Sequence, residues 1–355
     1  VIVAVTGATG NIGSAVVRRL LADGHEVRGI ARRTPVEGLE DRVAWTELDL
    51  TAADRDERLR EVLDGVDALV HTAWGFQPTR DVAFLRRIDV GGTAAVVRAA
   101  AAAGVPHLVH VSSQGAYSPG RGPAPVDEDW PTGGAAPELP YSRHKAAAER
   151  VLDAHEAVPE HRPVVARVRP SLVVRAEAGG AVARYMLPSL VPHGVLRLLP
   201  VLPLDRRFRL QVTHTDDVAD AIVAVVVSGA TGAFNLAAEP VLGRGDVARA
   251  FGIPAVHLPW PALRALAGLG WTLRLQPFDP GWLDMARVVP TMSSRRAREE
   301  LGWAPAHDAR EAMAEAIAGM ARGEGGGSPA LRPRRWLEQL ANLVGRGPVS
   351  RRPTA

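Results

Sequence analysis

A glycine-spaced loop, Thr6-Gly7-Ala8-Thr9-Gly10-Asn11-Ile12-Gly13, follows an apolar run over residues 1–5 and opens a stretch of helical periodicity. No other feature of the sequence leaves so few folds open. A strand that turns at once into a helix needs a residue without Cβ at the turn, a backbone that a ligand can approach, and close packing of helix on strand. Glycines at 7, 10 and 13 meet those three needs. The first turn of such a helix presents N–H groups and a partial positive charge, which suits a pyrophosphate. Gly7, Thr9, Gly10, Asn11, Ile12 and Gly13 are therefore the first candidate ligand-binding residues.

The rest of the first half repeats the same alternation. Short β-branched runs at 1–5, 26–30, 42–47, 68–72, 107–112 and 164–168 read as strands, and helical patterns at 14–23, 59–63, 90–103 and 142–155 lie between them. That order predicts an α/β fold of the Rossmann type, a doubly wound parallel sheet with helices on both faces. Beyond Pro170 the pattern loosens until a helix at 216–228, and a smaller C-terminal substrate lobe is expected there. The expected dinucleotide-binding domain spans 1–170 and 208–237, and the lobe spans 171–207 and 238–321. Residues 322–355 read as a glycine-rich linker and an amphipathic helix with Trp336, Leu340, Leu343 and Val344 on one face.

Composition narrows the chemistry. At 355 residues with 46% hydrophobic and 23% charged side chains the chain reads as packed and globular. It contains no cysteine, so disulfides, thiolate metal sites and cysteine nucleophiles are excluded. The first residues lack the charged segment and cleavage site of a signal peptide, and a cytoplasmic protein is expected. The apolar stretch 181–204 is interrupted by Arg184, His193, Arg197 and prolines, which suits a pocket wall or lid and rules out a single spanning helix. The net charge of +3 arises from arginines interleaved with acids, as in 55–60, so the expected partner is a small molecule and not a nucleic acid.

The second strand ends Gly29-Ile30-Ala31-Arg32-Arg33, where a dinucleotide fold decides between NAD and NADP. A carboxylate at that place would grip ribose hydroxyls and repel a 2′-phosphate. Arg32 and Arg33 stand there instead, and guanidinium binds phosphate in a bidentate fork, so NADP is favoured over NAD and NAD stays possible.

Of the 42 lysines and arginines only Lys145 is a lysine, and it lies four residues after Tyr141, one of three tyrosines. On a helix these two share a face. An ammonium can bond ribose hydroxyls and lower the pKa of a neighbouring phenol, which makes Tyr141 a candidate general acid/base. Ser113, at the end of the strand before it, is the candidate to hydrogen-bond the reacting oxygen. The 11 histidines are scattered, so no metal is expected; at the 216–228 helix, His214, Asp216 and Asp217 read as a helix start with capping aspartates.

Together these residues resemble the extended short-chain dehydrogenase/reductase family, also called the NAD-dependent epimerase/dehydratase family, over about residues 1–320. The resemblance rests on the glycine loop, Asp49-Leu50, His71-Thr72-Ala73, Ser113, Tyr141-Ser142-Arg143-His144-Lys145, Arg169-Pro170, His214-Thr215-Asp216-Asp217-Val218 and Leu301-Gly302-Trp303. It implies that Asp49 and Leu50 lie by the adenine and that Ala73, with Thr72, Trp74 and Pro170, contacts the cofactor. It implies Ser113, Tyr141 and Lys145 at the chemistry, and a homodimer formed through two helices. Two positions depart from the family pattern: Asp89 stands where asparagine is common, and Leu172 replaces the asparagine that helps relatives bind sugar nucleotides. The first expectation is thus hydride transfer to or from a carbonyl or alcohol of a fairly apolar small molecule. Nucleotide-sugar epimerisation or dehydration, and a non-catalytic dinucleotide-binding regulator, are the alternatives.

Overall fold

A computed structural model of the chain describes residues 1–34, 39–75, 80–158, 162–186, 200–328 and 330–332. Its first half runs β1 (Ile2–Thr6), α1 (Asn11–Ala22), β2 (Glu26–Ala31), β3 (Ala44–Glu47), α2 (Arg55–Val62), β4 (Ala68–His71), α3 (Val82–Arg86), α4 (Gly92–Ala102), β5 (His107–Val111), α5 (Pro140–Glu156) and β6 (Val164–Pro170). There follow β7 (Leu172–Val174), α6 (Gly179–Met186), β8 (Leu202–Leu204), β9 (Arg209–Leu210), β10 (Val212–His214), α7 (Thr215–Ser228) and β11 (Gly232–Leu236). The last elements are β12 (Leu242–Gly243), α8 (Arg244–Phe251), β13 (Ala255–His257), α9 (Trp260–Thr272), α10 (Gly281–Val288), α11 (Arg295–Leu301) and α12 (Ala309–Arg322).

Seven strands form one parallel sheet in the order β11-β6-β5-β4-β1-β2-β3. The chain winds outward from β1 to β3 and then returns to place β4 on the other side of β1. That reversal leaves a crevice at the carboxyl ends of β1 and β4, where ligands of such sheets bind. Val3 and Val5 of β1 point to one face, packing with Val16, Val17 and Leu20 of α1 and Val218 and Ile222 of α7. Ala4 points to the other, with Leu59, Val96 and Leu152 of α2, α4 and α5. A further core joins Val174, Val212, Leu242, Val247, Ala309 and Met313, outside the sheet.

The structure departs from the sequence expectation in three places. Helix α2 starts at Arg55, four residues before the expected start, because its first turns are charged and show only Leu59 to the core. The helix expected from residue 90 begins at Val82, and a π turn over Arg87–Gly91 joins α3 to α4, which breaks the apolar period there. The expected linker is docked: the N–H of Gly180 donates to the Glu324 carbonyl at 2.7 Å, and Leu331 is buried against Ala178 and Ala181. The face expected at Trp336, Leu340, Leu343 and Val344, and most of the stretch 181–204, lie outside the described residues.

Candidate active site

The glycine loop forms the floor of the crevice. Gly7 has φ +70°, and a Cβ on it would stand 2.7 Å from the Ala73 backbone. A Cβ on Gly13 would lie 2.2 Å from the Gly7 carbonyl oxygen, so loop, helix and β4 meet here at backbone distance. Gly10 is the N-cap of α1 and supplies no side-chain cap. A narrow backbone cradle ending in an uncapped helix N-terminus fits a dinucleotide pyrophosphate.

Gly7, Thr9, Gly10, Arg32, Arg33, Leu50, Thr72, Ala73 and Trp74 line this cleft together. Seven other expected cofactor residues are not in its wall, Tyr141 and Lys145 on α5 among them. Asn11 accepts a hydrogen bond from Thr215 Oγ1 at 3.2 Å, and Ile12 packs on the core. Gly13 acts through close approach. Asp49 accepts from both the N–H and the hydroxyl of Thr51 at 2.8 Å, and Pro170 ends β6 opposite Leu236. The wall also contains Thr6, Ile30, Ala31, Leu48, Ile88 and Ala330. Four of these, Thr6, Ile30, Ala31 and Leu48, sit at or just past strand ends and could have been found from the rule that ligands gather there. Nothing in the sequence singled out Ala330.

Helix α5 begins with Pro140, whose fixed φ suits a first helical turn, and sets Tyr141 and Lys145 on one face. The Tyr141 phenol is hydrogen-bonded to the Ser113 side chain, whose Oγ also accepts from the Gly115 N–H at 3.0 Å. Lys145 is buried; its Nζ donates to the Val111 carbonyl at 2.8 Å and lies 3.4 Å from the centre of the Trp74 ring. Burial pushes the phenol up to about 12, with Ser113 acting against the shift and Asp89 adding to it. Burial also drives the Lys145 ammonium down to about 7, against the pull of Asp89 and Glu149. Both shifts follow from burial, since a dry pocket disfavours the charged form of either group.

Two buried networks hold the pair. Glu149, one turn beyond Lys145, accepts from Arg169 Nε at 2.8 Å, Arg169 Nη2 at 3.0 Å and Ser112 Oγ at 2.6 Å, which ties α5 to β6 and β5. Asp89, carried on the π turn, accepts from the Gly75 N–H at 2.7 Å and pairs with His144 Nδ1 at 2.9 Å. The departure from asparagine at this position is thus matched by a histidine beside the lysine.

Helix α10 lies against the phenol. The Trp282 ring lies 4.9 Å from that of Tyr141, centre to centre, and Trp74 lies 6.3 Å away on edge. A Cβ on Gly115 would be 3.1 Å from both Met285 Sδ and Tyr141 Cε1. Beyond Gln114 a second cavity is lined by Arg207, Arg209, Gln211 and Arg287. Leu172 is 47% exposed and lines neither cavity.

At the start of α7 the cap is His214, which accepts from the Asp216 N–H, and not an aspartate as expected. Asp217 instead holds the N–H groups of Ala306 and His307, at 2.8 and 3.2 Å, and the His307 ring at 3.1 Å. Among the described residues, His214, Asp217 and His307 gather into one cluster. No helix among the described residues is long and apolar enough to cross a membrane.

Sheet order, glycine cradle and the Ser113–Tyr141–Lys145 group define a dinucleotide-binding protein of the short-chain dehydrogenase type. The chain belongs to the NAD-dependent epimerase/dehydratase family, whose profile matches residues 3–237. It is 31% identical to a 3-diazoavenalumate denitrifying reductase of Streptomyces over 86% of this chain and 96% of that one. It is 30% identical to a UDP-glucose 4-epimerase of Mycolicibacterium smegmatis over 88% and 95% of the two chains. A short-chain dehydrogenase/reductase superfamily protein of Agrobacterium tumefaciens with bound NAD superposes with a TM-score of 0.67 at 21% identity, over 91% of this chain and 98% of that one. Uncharacterised mycobacterial relatives are far longer, and the chain spans 29% of their length.

Proposed function

We propose that the chain is an NAD(P)-dependent oxidoreductase that interconverts a carbonyl and an alcohol on a small molecule, with Tyr141 exchanging the proton at oxygen. The observation that carries this reading is the Tyr141 phenol, hydrogen-bonded to Ser113 and on the helix that carries Lys145, whose amine lies 3.4 Å from the ring centre of Trp74, a residue of the glycine-loop cleft. A nicotinamide bound there would take or supply the hydride at the substrate carbon. Ser113 orients the substrate oxygen, and Tyr141 gives its proton to that oxygen in reduction and recovers one in oxidation. Lys145 holds the cofactor side of the pocket through its amine, and the Trp74 face fixes its position.

NADP is the preferred cofactor in this reading, because Arg32 and Arg33 line the adenosine end of the cleft and, among the described residues, no carboxylate does. The substrate is apolar near its reacting carbon, since Trp74, Trp282 and Met285 surround the phenol. Assays with NADPH and NADH across aromatic and alicyclic ketones test the reading. Tyr141→Phe should lower kcat by about 10²–10⁴-fold while cofactor Kd stays within about twofold. Unchanged turnover in that variant would refute the assignment.

One observation favours a second reading. The cavity with Arg207, Arg209 and Arg287 suits a diphosphate, and a nucleotide-sugar epimerase would place one there. Turnover of UDP-glucose without any ketone reductase activity would select it.

A further inference from the structure

The described residues beyond α12 stay against the body of the protein. Glu324 is held through its carbonyl by the Gly180 N–H at 2.7 Å, and Ser328 Oγ donates to the carbonyl of Thr9, inside the glycine loop, at 2.6 Å. The Gly326 N–H donates to Leu331 O and the Leu331 N–H to Ser328 O, each at 3.0 Å, so the segment closes into a turn. Leu331 is 3% exposed, packed with Ala178 and Ala181. Between these anchors Ala330 forms part of the wall of the dinucleotide cleft, together with Thr9, Arg32 and Arg33. The residue after Leu331 is Arg332, which interacts electrostatically with Arg33.

We propose that residues 324–328 and 330–332 form a cofactor strap that walls the adenosine half of the cleft and sets Arg332 beside Arg32 and Arg33 as a third guanidinium for the 2′-phosphate of NADP. The Arg332 part rests on the preference for NADP given above; the wall does not. A dianionic phosphate is the anion that belongs at this end of a dinucleotide, and guanidinium groups bind it in a bidentate fork. Burial, with Arg32 and Arg332 nearby, holds Arg33 below the usual arginine range, as such crowding requires. The strap is anchored on the glycine loop through the Ser328 hydroxyl and on α6 through the Glu324 carbonyl and Leu331, so loosening an anchor should open the wall and speed the departure of a bound cofactor. The cofactor thus completes a site that the tail has half built.

The test is equilibrium and stopped-flow binding of NADPH and NADH to the full chain and to three variants. Arg332→Ala should weaken NADPH about tenfold and leave NADH within about twofold. Leu331→Ser and Ser328→Ala should speed release of both cofactors, Leu331→Ser by about fivefold or more. Ser328→Ala removes one oxygen only and reports on the strap even where Leu331→Ser fails to fold. Equal losses of NADPH and NADH in Arg332→Ala would overturn the third guanidinium. Unchanged release rates in both loosening variants would overturn the strap. An Arg32→Ser, Arg33→Ser double variant separates the underlying preference: if it leaves the NADPH to NADH affinity ratio unmoved, the NADP reading fails and takes the Arg332 role with it. The strap is then decided by NADH release alone.

Discussion

Tyr141 and Lys145 are one helical turn apart, and the same dryness moves them in opposite senses, the phenol up to about 12 and the amine down to about 7. Asp89 couples to both, because a carboxylate favours the ammonium and opposes the phenolate. Its replacement by asparagine should therefore lower both pKa values, and the pH profile of kcat/KM in Asp89→Asn should move to lower pH. A shift to higher pH, or none, would remove Asp89 from the pair's electrostatics. The residue types at the site were legible because a lone lysine and a scarce tyrosine at helical spacing are conspicuous. What those residues do in the folded chain was not, since burial, the Val111 carbonyl and the Trp74 face are set by distant segments.

Elements were readable where their burial was simple. Apart from the edge strand β3, the sheet strands are mostly buried runs, so their apolar residues stand out, and the fold class followed from their alternation. Helix α9 was hidden for the opposite reason: it leaves Leu266 and Leu269 exposed, so its apolar residues mark no single core face. The approach of α12 to the segment before α6 was equally silent. A Cβ on Gly319 would sit 2.4 Å from the Ala176 carbonyl oxygen, and one on Gly179 would sit 2.4 Å from the backbone of Gly319. Gly319→Ala should accordingly destabilise the fold by about 1–3 kcal/mol, read as a lower urea midpoint. An unchanged midpoint would mean that the helix can shift without loss.

At the scale of the whole molecule the buried histidines set the response to acid. His71 bridges Thr6 Oγ1 at 2.6 Å and Thr93 Oγ1 at 3.1 Å, and burial, with the Lys145 charge behind it, lowers its pKa from 6.5 to about 3. Between those two pH values the unfolded chain binds the proton and the folded chain does not, so stability falls as pH drops from 6.5 toward 3. At about 1.4 kcal/mol per unit the loss from this one group amounts to a few kcal/mol. Urea titrations of the parent and of His71→Asn should show a shallower acid decline in the variant, and parallel declines would refute the assignment. The burial of Lys145 also has a practical consequence. It is the chain's only lysine, so an endoprotease specific for that residue has a single place to cut, in the middle of a helix packed on the sheet. The native protein should resist it, each cleavage recording one opening of that helix, and the appearance of two fragments would measure how often the catalytic half comes apart.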